Sequence, residues 1–486
     1  MIEPTSGASA LGSSVTLPLW LVVLMAIFAV WAVVSRVVLP VVRGVIRWRV
    51  SRALEEVNPR LSIRIHPYKL TRRQVLVDRL TYDPRVLEVA DEHARKHKIP
   101  QRLVIEKVRR YAREIVPAFN AYFYFRIGYY IARWVARSLY RVRLGAVDEA
   151  ALAAAIPPRS TVVFVINHRS NMDYILVSYL AMERTALSYA VGEWARIWPL
   201  QQLIRATGAY FVRRNSKNPL YRRVLERYVQ MATEGGITQA MFPEGRLSRD
   251  GSLQPPRLGI FDYMLREFDP TGSRDIAFIP VAINFDRVLE DRTLLLDVPS
   301  PAEGEEKRPA AALPTALRFL GRHLLLLLRL RWHRFGYACV NVGRPVSLRG
   351  YLKKAGVDLR DLSRDERFVE VGKLAADLME EIGRAVPVIP VPLVSRVFQD
   401  AGDEPLSELE IKARFHDLIE RFEAVGAYVY VPRGSRDYAA TVGLRTLVER
   451  RVVEEGPEGL FRARSDEAEL LAYYANSIRH LLPEDA

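Results

Sequence analysis

Hydrophobic residues are spaced differently in successive stretches of this chain. The first stretch is an uninterrupted uncharged run, Val15 to Val34, rich in Leu, Val, Ala and Trp. At 1.5 Å per residue it reaches roughly 30 Å, the hydrocarbon thickness of a bilayer, and predicts a transmembrane helix. From 68 to 145 the spacing turns helical. Asp83-Pro84 is placed to open one helix, and Gln101 to Ile115 is a charged segment with helical periodicity. Phe119 to Tyr140 interleaves aromatics with Arg126, Arg133, Arg137 and Arg141, a pattern that fits a helix on a membrane surface or basic groove and equally a core helix.

From 146 to about 300 short apolar runs alternate with helical stretches. Thr161–Ile166, Gly208–Val212, Ile237–Phe242 and Ile276–Phe285 read as buried strands, with helices at Tyr174–Met182 and Tyr221–Glu234 between them. This alternation predicts the α/β class: a central mixed sheet flanked by helices, with ligands at the carboxyl ends of the strands. Glu303–Arg308 reads as a charged linker, Leu313–Leu330 as a leucine-rich interfacial or buried helix and Tyr337–Val346 as a further strand. Beyond 365 the chain is mainly helical, with a short strand expected at Ala427–Val431. The organisation expected is an anchor and basic juxtamembrane segment over 1–60, a helical region over 61–145, an α/β domain over 146–360 and a mainly helical C-terminal lobe over 361–486.

Charge adds orientation and partner class. Only Glu3 precedes the apolar run, whereas Arg36, Arg43, Arg47, Arg49 and Arg52 follow it. The positive-inside rule then predicts an inner-membrane protein with its N-terminus outside and the rest in the cytoplasm. The segment before the run has no positive charge and no A-x-A site follows, so the expected helix is a retained anchor rather than a cleaved signal. A net charge of +15 over 486 residues favours anionic partners without choosing among them. The single cysteine, Cys339, rules out an intrachain disulfide and a multi-cysteine zinc site.

Four segments carry candidate chemistry. Asn167-His168-Arg169-Ser170-Asn171-Met172-Asp173 directly follows the Thr161–Ile166 strand. On a regular helix His168 and Asp173 would lie roughly 140° apart. They meet if His168 sits in the turn before a helix and Asp173 in its first turn, with Ser170 or Asn171 as cap. Asp173 would then orient the imidazole and leave its other nitrogen as a base. Arg213 and Arg214, at the end of Gly208–Val212, are placed to meet a phosphate, although neighbours on a strand face opposite ways. Phe242-Pro-Glu244-Gly245-Arg246-Leu-Ser248-Arg249-Asp-Gly251 offers close backbone approach at glycine and two anion-pairing arginines, with Glu244 ordering them or binding a hydroxyl. Phe278–Arg287 reads as a wall of the cleft.

In this order and at these separations, the four segments resemble motifs I to IV of the glycerolipid acyltransferases. Within that superfamily the chain is similar to the membrane-bound glycerol-3-phosphate and dihydroxyacetone-phosphate acyltransferases. The segments Glu380–Val397 and Leu470–Leu481 extend the likeness to roughly residues 80–482. The resemblance implies that His168 is the general base toward an acceptor hydroxyl and Asp173 its partner. It implies an acyl donor that is a thioester of coenzyme A or acyl carrier protein, with no further cofactor and no metal. It also implies that Arg214, with Glu244, Gly245, Ser248 and Arg249, holds the acceptor phosphate; Arg213 and Arg246 join them as substrate-binding candidates by their position beside these residues. Where the family has an arginine just before the motif III serine, this chain has Leu247, and Arg246 stands one position earlier. The partners expected are the bilayer, the thioester donor and a phosphate-bearing acceptor, and not nucleic acid. The leading acceptor is glycerol 3-phosphate at its sn-1 hydroxyl; dihydroxyacetone phosphate and 1-acylglycerol 3-phosphate remain open. So does a non-catalytic, membrane-anchored binder of anionic lipid or nucleic acid.

Overall fold

The computed structural model describes residues 18–33, 36, 66–145, 149–182, 185–192, 200–213, 216–295 and 334–483. It falls into two compact units, residues 1–57 and 58–486. The first contributes one described helix, Leu19–Val33, of 15 residues. Its length is about 22 Å at 1.5 Å per residue, short of the roughly 30 Å of hydrocarbon it would have to cross. Among the described residues no helix is long and apolar enough to span a membrane. The expected transmembrane helix is therefore corrected, and with it the inner-membrane topology with an outside N-terminus. The apolar count ran through Pro18, but the helix starts only after it, and a residue before proline is disfavoured in helical conformation. Residues 15–17 and 34, the Glu303–Arg308 linker and the Leu313–Leu330 helix lie outside the described residues.

The second unit is built on an eight-stranded mixed sheet in the order β1-β7-β6-β2-β5-β3-β4, with β8 pairing to β6. These strands are β1 (Arg141–Leu144), β2 (Thr161–Ile166), β3 (Ser188–Val191), β4 (Tyr210–Phe211), β5 (Gln239–Met241), β6 (Ile276–Phe285), β7 (Tyr337–Val342) and β8 (Val346–Ser347). β2 lies between parallel partners β5 and β6, and β7 runs antiparallel to β6. Strand periodicity sorts β2's side chains to opposite faces. Val162 and Ile166 join a core with the helices Met172–Ala181, Pro390–Ala401 and Ala468–Arg479, while Val163 and Val165 join one with Gln101–Ile115, Pro219–Glu234 and Arg364–Ala385.

Several local expectations are changed by context. β1 and β3 were not expected: β1 alternates arginine with apolar residues and β3 is four residues long, so each is defined by its partner rather than by its own pattern. Ala427–Val431 forms no strand and makes only an isolated bridge, Val388 to Val429. The Phe119–Tyr140 stretch becomes a π-helix, Phe123–Gly128, continued by the helix Tyr129–Leu139. That helix buries the small residues Ala132 and Ala136 against the core. Tyr130, Ile131 and Trp134 are left exposed on its outer side, and Ile127 is exposed in the π-helix before it.

Candidate active site

β2 ends at Ile166 because its next residue pairs by side chain instead of by backbone alone. Asn167 donates Nδ2–H to the Ile283 carbonyl and accepts the Ile283 N–H, extending the contact with β6 for one more step. The chain then turns and enters the helix Met172–Ala181. Every backbone N–H from 168 to 172 is taken by a side-chain oxygen. His168 N–H goes to Glu244 Oε1 at 2.8 Å, and Arg169 and Ser170 N–H go to Asp173 Oδ2 at 2.7 and 3.0 Å. Asn171 N–H goes to Glu290 Oε1 at 3.3 Å and Met172 N–H to Ser170 Oγ at 3.1 Å. Asn171 is the N-cap and makes no side-chain cap bond, Ser170 before it covering the Met172 amide, while Asn171 and the Ser170 hydroxyl donate outward to Glu290 at 3.1 and 2.7 Å.

This clamped turn brings His168 and Asp173 together. His168 Nδ1 lies 3.0 Å from Asp173 Oδ2, and both side chains are almost wholly buried. Since Oδ2 also receives two backbone N–H groups, the carboxylate's position is set before the imidazole meets it. The ring is stacked on Phe242 at 4.2 Å and edge-on to Tyr174 at 5.4 Å. Nε2 has no partner among the described residues, and His168 lines a cavity of about 270 Å³. Such a pair can hold one tautomer and accept a proton at Nε2.

The motif III loop follows β5, parallel to β2. Glu244 is buried and acts as a staple: Oε1 holds the His168 amide and Oε2 accepts the Gln254 N–H at 3.0 Å. Burial pushes its carboxyl up to about 7, while those two amides pull the other way. Ser248 is also turned inward, its N–H on the His168 carbonyl at 3.1 Å and its hydroxyl on the Ser252 carbonyl at 2.7 Å. Gly245 lines the cavity with φ +67°, a conformation glycine adopts without strain. Arg213 reaches the cavity wall too, but its guanidinium is bidentate on Glu114 at 2.9 and 2.8 Å and lies over the Tyr111 and Tyr221 rings. Arg246 and Arg249 are exposed and outside the cavity lining. Arg214 lies outside the described residues.

Two contributors escaped the sequence reading. Glu290 lies three residues beyond the Phe278–Arg287 segment that reads as a wall of the cleft; its only signal is an acid close to the carboxyl end of β2's neighbour. Arg257 lines the cavity yet belongs to no motif. The C-terminal helix Ala468–Arg479 supports the site from behind. The Tyr473 ring lies 5.0 Å from the Arg169 guanidinium, which bonds the Gly251 carbonyl, and Asn476 donates to the Asp250 carbonyl at 3.0 Å. A larger cavity of about 1290 Å³, between Asn341–Pro345 and Met379–Ala385, contains no residue of the four motifs.

Residues 152–284 match the Acyltransferase family model, and residues 322–486 match the model of the glycerol-3-phosphate acyltransferase C-terminal region. The chain is 27% identical over 430 residues to a glycerol-3-phosphate acyltransferase of Pseudomonas entomophila, covering 85% of this chain and 49% of that protein. It is 29% identical over 385 residues to that of Pseudomonas aeruginosa, covering 76% and 44%. The chain thus spans about half the length of the curated relatives it matches. The crystal structure of the 1-acyl-sn-glycerophosphate acyltransferase from Thermotoga maritima covers 57% of this chain and 82% of its own at 17% identity. Its TM-score of 0.29 is too low to bear on the fold. Through its two matched regions, in this order along the sequence, the chain is similar to the acyltransferases and, in its C-terminal part, to the glycerol-3-phosphate acyltransferases.

Proposed function

We propose that this chain transfers a fatty acyl group from acyl-coenzyme A or acyl carrier protein to the sn-1 hydroxyl of glycerol 3-phosphate, forming lysophosphatidic acid for phospholipid synthesis. The observation that carries this reading is the His168–Asp173 pair, held at 3.0 Å by a turn with no spare amide, on the wall of a cavity that arginines also line. His168 Nε2 takes the proton of the acceptor hydroxyl as its oxygen attacks the thioester carbonyl carbon. The C–S bond then breaks, the proton passes to the departing thiol, and the ester leaves with the acceptor's phosphate unchanged. Asp173 holds Nδ1–H and steadies the transient imidazolium. No enzyme nucleophile is required, because the acceptor supplies the attacking oxygen. A lipid surface, the remaining expected partner, is proposed to meet the exposed side of the Tyr129–Leu139 helix, lying along the interface rather than crossing it.

The test is an acceptor panel with labelled acyl-coenzyme A and purified protein. Transfer to glycerol 3-phosphate, with the product's sn-2 hydroxyl left free, is expected. Preference for dihydroxyacetone phosphate or 1-acylglycerol 3-phosphate would move the reading to those acceptors, and binding of nucleic acid or lipid with no transfer at all would end it. His168→Ala is expected to lower kcat by ~10²–10⁴ with the fold intact, as loss of a general base does. Asp173→Asn should be comparably severe, because it favours the wrong tautomer. Retention of about a tenth of the activity or more in His168→Ala would remove His168 as the base.

A further inference from the structure

Leu247 stands where the family resemblance leads one to expect a phosphate-binding arginine, so the acceptor's phosphate needs another cation. The cavity that His168 lines has three arginines in its wall, Arg213, Arg222 and Arg257, and no Asp or Glu among its described lining. One of the three is spent and a second is engaged at one nitrogen. Arg213 gives Nε and Nη2 to Glu114, which also cancels its charge. Arg222 gives Nε to the Ser216 carbonyl. Arg257 has its whole guanidinium unspent: among the described residues no hydrogen bond, ion pair or ring contact engages it.

Arg257 is exposed, but its backbone is tied into the site. Its backbone N–H bonds the Pro243 carbonyl at 2.8 Å, next to Glu244. Three residues earlier, the Gln254 N–H is held by the same Glu244 carboxyl that holds the His168 amide. One carboxyl therefore ties the Arg257 segment and the base to common supports. The stem of Arg257 lies across Gly245, where an added Cβ would come 2.8 Å from Arg257 Cδ. Gly245 thus serves twice, by its positive φ and by leaving room for this side chain.

We infer that Arg257, across Gly245 from the motif III turn, is the guanidinium that binds the acceptor's phosphate in this chain, replacing the arginine absent at 247. A guanidinium offers a phosphate two parallel N–H donors in a fixed fork, which an ammonium cannot reproduce. The identity of the acceptor rests on the acyl-transfer reading above; the presence of an oxyanion site at Arg257 does not.

Arg257→Ala is expected to raise the KM for glycerol 3-phosphate by roughly tenfold or more, with kcat changed less and the KM for acyl-coenzyme A little altered. Selectivity for glycerol 3-phosphate over glycerol should fall by a similar factor. Arg257→Lys should recover only part of it. Gly245→Ala, by displacing the stem, should reproduce the acceptor defect. Binding is read separately, as the rise in melting temperature given by glycerol 3-phosphate or inorganic phosphate, present in the unmodified chain and lost in Arg257→Ala. An unchanged acceptor KM in Arg257→Ala, or a larger increase in Arg246→Ala, overturns the inference. A chain that shows the Arg257-dependent phosphate shift but transfers no acyl group overturns the acyl-transfer reading and leaves this inference standing.

Discussion

At the residue scale the site is a matter of which oxygen takes which N–H. Five consecutive amides, 168 to 172, are bound by Glu244, Asp173, Glu290 and Ser170. Backbone amides that elsewhere bind anions at such turns are here consumed in holding the turn itself. Glu290 is the outermost clamp and touches neither His168 nor the cavity lining. It is therefore a positioning residue, acting through Ser170 and Asn171 on the helix start that carries Asp173. Glu290→Ala is expected to cut kcat by about 10- to 100-fold, since small misplacements of a base are costly, with both KM values little moved. Glu290→Gln should keep more activity, because its amide oxygen still accepts from Asn171. Steady-state kinetics beside a thermal melt checks this: kcat within about twofold of the unmodified chain in a folded Glu290→Ala would show that the clamp has no bearing on the chemistry.

At the scale of elements, the helix Tyr129–Leu139 is turned the opposite way to a core helix. Alanines face the protein, and Tyr130, Ile131 and Trp134 face out, with Ile127 exposed in the π-helix that leads into it. Within the α-helix, Tyr130, Ile131 and Trp134 share one helical face at i, i+1 and i+4, with Arg126, Arg133 and Arg137 in the same stretch. Apolar and aromatic bodies beside basic groups suit a headgroup interface, where each side chain can leave its polar end in water. Ile131→Ser with Trp134→Ser is expected to weaken binding to vesicles containing anionic lipid by roughly tenfold or more, with no loss of thermal stability, because the exposed side supports nothing beneath it. Equal sedimentation of the double variant and the unmodified chain with such vesicles would refute this contact.

At the scale of the whole molecule, two buried carboxyls, Glu244 and Asp286, and one half-buried, Glu290, sit where strands and helices meet around the sheet's carboxyl end. Burial raises Glu244 and Asp286 to about 7 each and raises Glu290 as well. Asp286 accepts the Tyr337 and Val391 amides and so ties β6 to β7 and to the helix Pro390–Ala401. A carboxyl whose folded value lies above its unfolded one holds its proton longer in the folded state. Between the ordinary carboxyl range and about 7 the folded chain then binds more protons than the unfolded chain, so these groups make stability fall as pH rises through that window. Above it their effect is constant. Denaturant midpoints from pH 5 to 8 should show the stability difference between the unmodified chain and Glu244→Gln shrinking with pH until about 7 and then levelling. A difference that widens with pH would mean that the amides, not burial, govern this carboxyl.

The sequence alone determined what depends on local periodicity. β2 and β6 run from Thr161 to Ile166 and from Ile276 to Phe285 as their apolar runs predict, because a strand buried on both faces has no polar positions to blur its ends. The helix Gln101–Ile115 and the Asp83-capped helix at Pro84 are likewise set by spacing and capping chemistry. The placement of His168 before a helix and Asp173 in its first turn is legible too, since only that arrangement lets residues five apart meet. Tertiary structure decided the rest. Arg246 and Arg257 look alike in the sequence, yet only Arg257 reaches the cavity, because positions eleven apart on an irregular loop have no fixed phase. Glu244 proved to be a staple for amides distant along the chain, and Glu290 a clamp from beyond another strand. A hydrophobic count likewise cannot see where Pro18 leaves the helix to begin, and so took 15 helical residues for a span. Periodicity is a property of neighbours along the chain, whereas these contacts join residues that only the folded sheet makes adjacent.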